Sequence, residues 1–123
     1  MADRITNRPD HIEDYLCSLH NGQWFGFSDP ENKTYANLII HDSSKTKPTE
    51  QACTDGLAQL QLDFDMKELR TKRNKLLSET DYLALSDQTM SSEMTTYRQA
   101  LRDITNGLTT VEDIEAVTWP TKP

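Results

Sequence analysis

The chain is 123 residues long, 35% apolar and 27% charged, with 13 Lys and Arg against 20 Asp and Glu for a formal charge of −7. That length holds one domain, or a small domain with an extension, and an apolar share below the roughly 45–50% usual for globular domains points to an elongated shape, an obligate partner or segments that order in an assembly. The acidic balance excludes broad electrostatic attraction to nucleic acid or to an anionic membrane surface.

The opening MADRITNRPDH has no apolar centre of the kind a secretion signal needs, and no stretch reaches the roughly 18 apolar residues of a membrane span. A soluble, intracellular protein is expected, its first nine residues forming a polar arm. From Asp10 a short helix is expected, with Asp10 as cap, Glu13 three residues on, and Ile12, Tyr15, Leu16 and Leu19 at helical spacing up to a stop at Gly22. A rival reading makes residues 16–19 a strand turning at Asn21-Gly22 into QWFGF. QWFGF at 23–27 and TYANLII at 34–40 are aromatic and β-branched, and the SDPENK between them is turn chemistry, so the two read as a β-hairpin. Two strands alone are marginal in water, so something must cover one face.

After the polar loop HDSSKTK, Thr49 is placed to cap a long helix with Glu50 in its first turn. Cys53, Leu57, Leu60 and Phe64 make an apolar stripe that drifts beyond Phe64, which fits either one helix over 50–78 or a break near Asp63–Asp65. Lys67, Arg70, Lys72, Arg73 and Lys75, flanked by Asp63, Asp65, Glu68 and Glu79, read as a solvated helix face with spacing-four pairs. SETDYLALSDQTM, residues 78–90, has no helical period and reads as an irregular connector anchored by Tyr82 and Leu85. Ser91 then caps a helix with Met94, Tyr97, Leu101 and Ile104 on one side, Arg98, Arg102 and Asp103 on its flank, and Asn106-Gly107 as its stop. A short helix over 110–116 and an extended end at Trp119-Pro120 finish the chain. The expected fold is α+β: a small N-terminal helix plus β-hairpin over residues 1–47, then a helical domain over 48–123 with a long central helix and a C-terminal αα-hairpin carrying an extended tail.

Chemistry is sparse. His11, His20 and His41 accompany Cys17 and Cys53 without a strained nucleophile turn; both cysteines sit among apolar neighbours and are expected to pack as small, reduced hydrophobes. No zinc-ligand spacing and no phosphate-cradling glycine loop occurs. Asp63/Asp65 and Glu112/Asp113 lack the oxygen-rich loop of a calcium site. No catalytic residue, cofactor or metal is expected, which leaves a binding or assembly role.

The second half carries an ordered set of motifs. R-x-x-R-N-x-L-L spans Arg70 to Leu77, T-D-Y spans Thr80 to Tyr82, YRQALRDI runs from Tyr97 to Ile104, and W-P-x-x-P closes the chain from Trp119. Over about residues 66–123 this order resembles the phage tail assembly chaperone family, small proteins of tailed bacteriophages related in pattern to tail-fibre assembly proteins. The sequence departs from the pattern in its connector, which lacks the usual prolines, and at Met94, where a Trp is common. Tyr35–Leu38 and Lys47–Glu50 are also similar to a module of other small phage tail proteins.

The resemblance implies a non-enzymatic protein of the host cytoplasm during infection. Its partner would be a phage tail or tail-fibre protein, with no nucleic acid or membrane involved and homo-oligomerisation left open. A permanent place in the virion, as an adaptor or decoration of tail, fibre or baseplate, is the alternative, and an acidic regulator of a host protein a distant third. Two roles are expected for the polar residues of this half. Leu76 and Leu77 would pack on Tyr97 and Leu101 while a clamp drawn from Arg73, Asp81, Asp87, Arg98, Arg102 and Asp103 ties the connector. Tyr97, Arg98, Arg102, Trp119 and Pro120 are the candidates for docking a partner.

Overall fold

A computed structural model describes residues 7–85 and 87–123. In chain order it contains α1 (Ile12–Leu19), β1 (Phe25–Phe27), β2 (Leu38–Ile40), α2 (Glu50–Ser78), α3 (Ser92–Arg102) and α4 (Val111–Glu115), an α+β arrangement. Two further 3-10 turns lie at Tyr35–Asn37 and Asp81–Ala84. The chain divides into two compact units between Gln61 and Leu62. α2 is one 29-residue helix that supplies residues to both, so the expected alternative of a break near Asp63–Asp65 does not occur.

Residues 12–19 are a helix and not a strand, with the cap one residue later than the sequence suggests. The His11 ring accepts the Glu13 backbone N–H on Nδ1 at 3.0 Å, and its Nε2 lies 2.9 Å from the Lys33 carbonyl. One ring nitrogen therefore accepts while the other donates, which is the arrangement of a neutral imidazole. Asp14 completes the capping box by accepting the His11 N–H at 3.2 Å, and it also accepts the N–H of Asp10 at 3.1 Å. Asp10 is thus held by the cap instead of forming it.

The hairpin is antiparallel, with Phe25 opposite Ile40, Gly26 opposite Ile39 and Phe27 opposite Leu38. Its second arm is shorter than the TYANLII pattern suggests. Asn37 donates its side-chain amide to the Asn32 carbonyl at 2.8 Å and its backbone N–H to Thr34 at 3.0 Å, which winds Tyr35–Asn37 into a turn. Such local bonds compete with a strand ladder. The Tyr35 hydroxyl meanwhile donates to the Pro48 carbonyl at 2.6 Å, tying the loop before α2 to the hairpin. Thr49 then caps α2, accepting the Ala52 N–H at 3.0 Å.

The first core is built from Leu16, Trp24, Leu38 and Cys53, with Ile12, Tyr15, Phe25, Phe27, Tyr35 and Ile40 packed against it. α1 and the start of α2 therefore cover the face that a two-stranded hairpin cannot leave wet. Burial pushes the Cys53 thiol above its ordinary pKa, as expected of an inert core cysteine, whereas Cys17 is exposed, contrary to the expectation that both pack inside. The helical position explains the exposure of Cys17: Leu16 takes the inward position on α1, and Cys17, the next residue, is rotated about 100° away from it.

Two contacts set the precision of this unit. Gly56, inside α2, lies so close to the Tyr15 ring that a Cβ there would overlap it. Glu13 is buried and pairs with Lys33 at 3.0 Å. Burial by itself would raise its carboxyl, but the hydrogen bond and charge of Lys33 are among the opposing influences that bring it below the ordinary 4.5.

Gly56→Ala is expected to lower stability by about 1–3 kcal/mol through overpacking, against a helix-propensity gain of about 1 kcal/mol. In a Tyr15→Ala background the same substitution should become neutral or stabilising, as chemical denaturation of the four variants will show. A lowered folded-state pKa means that the Glu13 contribution is complete above 4.5 and is lost as pH falls through the depressed value. With Trp119→Phe leaving Trp24 as the fluorescent reporter, the acid-side fall in unfolding midpoint should be shallower in Glu13→Gln than in the parent.

Candidate functional site

The second unit is organised by α3. Ser91 caps it, its hydroxyl accepting the Met94 N–H at 3.1 Å, and Met94, Tyr97, Arg98 and Leu101 are its buried residues. The apolar members pack with Leu76 and Leu77 at the end of α2, with Leu83 and Met90 from the connector, and with Trp119. The pairing of Leu76 and Leu77 with Tyr97 and Leu101 follows the expected pattern.

Arg98 differs from its expected place on the flank. Positions 94, 98 and 101 are spaced four and three apart, so they share a helix face, and Arg98 is only 6% exposed. Its guanidinium donates from Nη1 to the Leu77 carbonyl at 2.9 Å and to the Thr80 hydroxyl oxygen at 2.7 Å. Its Nη2 donates to Asp81 Oδ1 at 2.9 Å. The Thr80 hydroxyl in turn donates to the Leu77 carbonyl at 3.3 Å, and the Thr80 backbone N–H reaches the same oxygen at 3.1 Å.

One planar cation thus joins three acceptors at the point where α2 stops and the connector begins. Carbonyls at a helix C-terminus carry the negative end of its dipole and lack intrahelical donors, so a buried guanidinium there satisfies both deficits. Arg98 Nε has no hydrogen-bond partner among the described residues, so the binding is done by the two terminal nitrogens. The Asp81 carboxylate is largely exposed, and its attraction is correspondingly screened; the buried Thr80 and the Leu77 carbonyl are the acceptors that depend most on Arg98.

The other residues expected in the clamp lie elsewhere. Arg73 Nε donates to its neighbour Asn74 at 3.2 Å, and Arg102 donates to Gln99 at 3.3 Å. Asp103 accepts from Gln99 at 3.0 Å, and Asp87 is exposed. The structure brings Arg98 and Asp81 together and adds Thr80, which the sequence reading did not single out. The signal was available: Thr80-Asp81 follows directly on the helix end, and Arg98 is four residues from Met94.

The connector itself winds into the 3-10 turn Asp81–Ala84 and then bonds Gln88 N–H to the Leu85 carbonyl at 3.0 Å. Its inward anchors are Leu83 and Met90, whereas Tyr82 and Leu85, expected to anchor it, are 59% and 58% exposed. α4 follows with Thr110 and Asp113 in a capping box. The Asp113 carboxyl is held below its ordinary range first by the Thr109 backbone N–H, then by the Thr109 hydroxyl and by Thr110.

The terminal segment folds back on its own unit. The Lys72 ammonium lies 4.4 Å from the centre of the Trp119 ring, a cation–π contact that adds to the ring's apolar packing. Pro120, Thr121 and Pro123 then form one wall of an open groove of about 390 Å³, and the other wall is α3, through Ser92, Glu93, Thr96, Tyr97 and Ala100. Of the docking candidates, Tyr97 and Pro120 line this groove and Trp119 anchors its wall. Arg102 is exposed and Arg98 is buried, and neither lines the groove; Arg98 is spent on the connector that it holds. Among the described residues no group of three His, Cys, Asp or Glu side chains is arranged to hold a metal ion, and no helix is long and apolar enough to cross a membrane.

Residues 66–123 match the family model described as phage tail assembly chaperone protein. The matched segment is a little under half of the chain and nearly the whole of the second unit. No curated protein and no solved structure matches the chain. The match supports a role in the assembly of a phage tail.

Arg98→Ala is expected to cost about 2–4 kcal/mol, because it removes three charge-assisted hydrogen bonds that join the end of α2 to the connector and leaves their buried site unfilled. Arg98→Lys should recover only part of this, since an ammonium cannot span the same three acceptors. Arg102→Ala should stay within about 0.5 kcal/mol of the parent. Urea denaturation followed by circular dichroism ranks the three.

Proposed function

We propose that the chain is a non-enzymatic assembly protein that assists construction of a bacteriophage tail or tail fibre in the host cytoplasm through protein contacts. The match of residues 66–123 to the tail assembly chaperone family carries this reading. The second unit adds a physical reason: its polar network is used internally, with Arg98 satisfying Leu77, Thr80 and Asp81, and its open feature is a groove suited to a chain segment.

The groove is proposed as a contact surface for a tail or fibre protein, with Tyr97 in its α3 wall and Trp119-Pro120 holding the other wall. An aromatic ring on one wall and prolines on the other offer flat, rigid area with little side-chain entropy to lose on binding. The weak apolar content of the chain fits a protein whose surface is completed by a partner.

Deleting the gene from the phage should leave heads without tails, or tails without fibres, in electron micrographs of lysates. Supplying the full chain in trans should restore particles, and removal of residues 117–123 should abolish that rescue. Purified particles should contain no copies of the chain by mass spectrometry. A fixed copy number per particle would assign it instead to the virion as a resident component, and normal particle yield from the deletion would reject an assembly role.

A further inference from the structure

We infer that the 3-10 turn after α2 is a second docking surface, built to receive an apolar segment of a tail protein that is flanked by basic residues. This rests on the assembly reading and adds to it the chemistry of the partner. Tyr82 and Leu85 are 59% and 58% exposed although Leu83, between them, packs inward. Residues three apart eclipse one another in a 3-10 turn, so Tyr82 and Leu85 stand on the same side as a single apolar ridge.

The ridge is held in place from beneath. Thr80, 1% exposed, and Asp81 are bound by Arg98 at 2.7 and 2.9 Å, and the Leu83 N–H donates to the Thr80 carbonyl at 3.0 Å. A turn ordered in this way loses little conformational entropy on binding, which is what makes a small exposed apolar patch an effective anchor.

Charge selects the occupant. From Leu76 to Tyr97 the sequence contains Glu79, Asp81, Asp87 and Glu93 and no Lys, Arg or His, and all four acids are exposed. Asp81 shares its charge with Arg98 and Glu79 stands one helical turn from Lys75, while Asp87 and Glu93 follow the ridge in the sequence with no basic residue between them and Tyr82. An acidic segment or a second copy of this acidic stretch would meet like charge, whereas Lys or Arg on either side of an apolar residue would meet complementary charge.

The test uses the full tagged chain produced in host cells that also make the phage tail proteins, with the photo-crosslinker benzoylphenylalanine in place of Tyr82. The expected product joins position 82 to a tail-protein peptide in which apolar residues are flanked by Lys or Arg, with a yield that falls on Glu79→Lys and as salt is raised. In a parallel capture, Tyr82→Ser with Leu85→Ser should lower the tail protein retained by about tenfold or more, while the thermal midpoint stays within about 2 °C of the parent. A crosslink to a peptide without basic residues, a crosslink to a second copy, or undiminished retention by the double variant overturns the surface and leaves the assembly reading standing. Retention of no tail protein by the parent chain overturns both.

Discussion

A single buried guanidinium holds the second unit together at its weakest point. α2 ends in carbonyls that have no helical donor, and the chain that follows has no ladder of its own. Arg98 enters from α3 and bonds to Leu77, Thr80 and Asp81 at once, so one side chain terminates a helix, starts a connector and fixes the distance between two helices. Most of the hydrophobic contacts around it, from Leu76 and Leu77 to Leu83, Met90 and Trp119, presuppose that geometry. A lysine would present one point charge where three directed donors are needed.

The first unit solves a related problem by different means. Among the described residues its sheet has two short strands, and its buried apolar set comprises Leu16, Trp24, Leu38 and Cys53. Close approach compensates for the small core: Gly56 gives up its side chain so that the Tyr15 ring can lie against α2, and Tyr35 and Lys47 fasten the loop leading into that helix. The buried carboxylate of Glu13 is paired with Lys33. Small cores leave little margin for an unsatisfied group, since one or two kcal/mol is a large share of the stability of such a domain.

The family match lies in residues 66–123, where the conspicuous polar motifs prove to be structural. What this unit offers to the outside is less conspicuous in sequence: a groove whose wall is the folded-back terminal segment, and an apolar ridge on a turn among acids. Trp119 illustrates the point. Its ring is used within the unit, against Lys72 and the α3 cluster, and the prolines beyond it are what reach the groove. Motif residues thus serve on both sides: Thr80 and Arg98 brace the surface from behind, while Tyr97, Pro120 and Pro123 line the groove.

Several features were legible before any coordinates, because they depend on neighbours in the chain. The helix at 12–19, the caps at Thr49 and Ser91, the positive φ at Gly22 and Gly107, and the hairpin around SDPENK are all local consequences of side-chain chemistry and spacing. The packing of Leu76 and Leu77 on Tyr97 and Leu101 follows from periodicity, and the motif order over 66–123 pointed to the tail assembly family. Tertiary structure alone decided which polar and apolar residues go inside. Arg98 and Arg102 differ by one helical turn, yet only Arg98 meets the end of α2. Tyr82 and Leu83 are adjacent, yet the turn sends one outward and the other into the core. Cys17 and Cys53 look alike in sequence and end on opposite sides of the surface. In each pair the deciding quantity is the direction in which a rigid element presents a side chain to a distant neighbour, and no local pattern encodes the position of that neighbour.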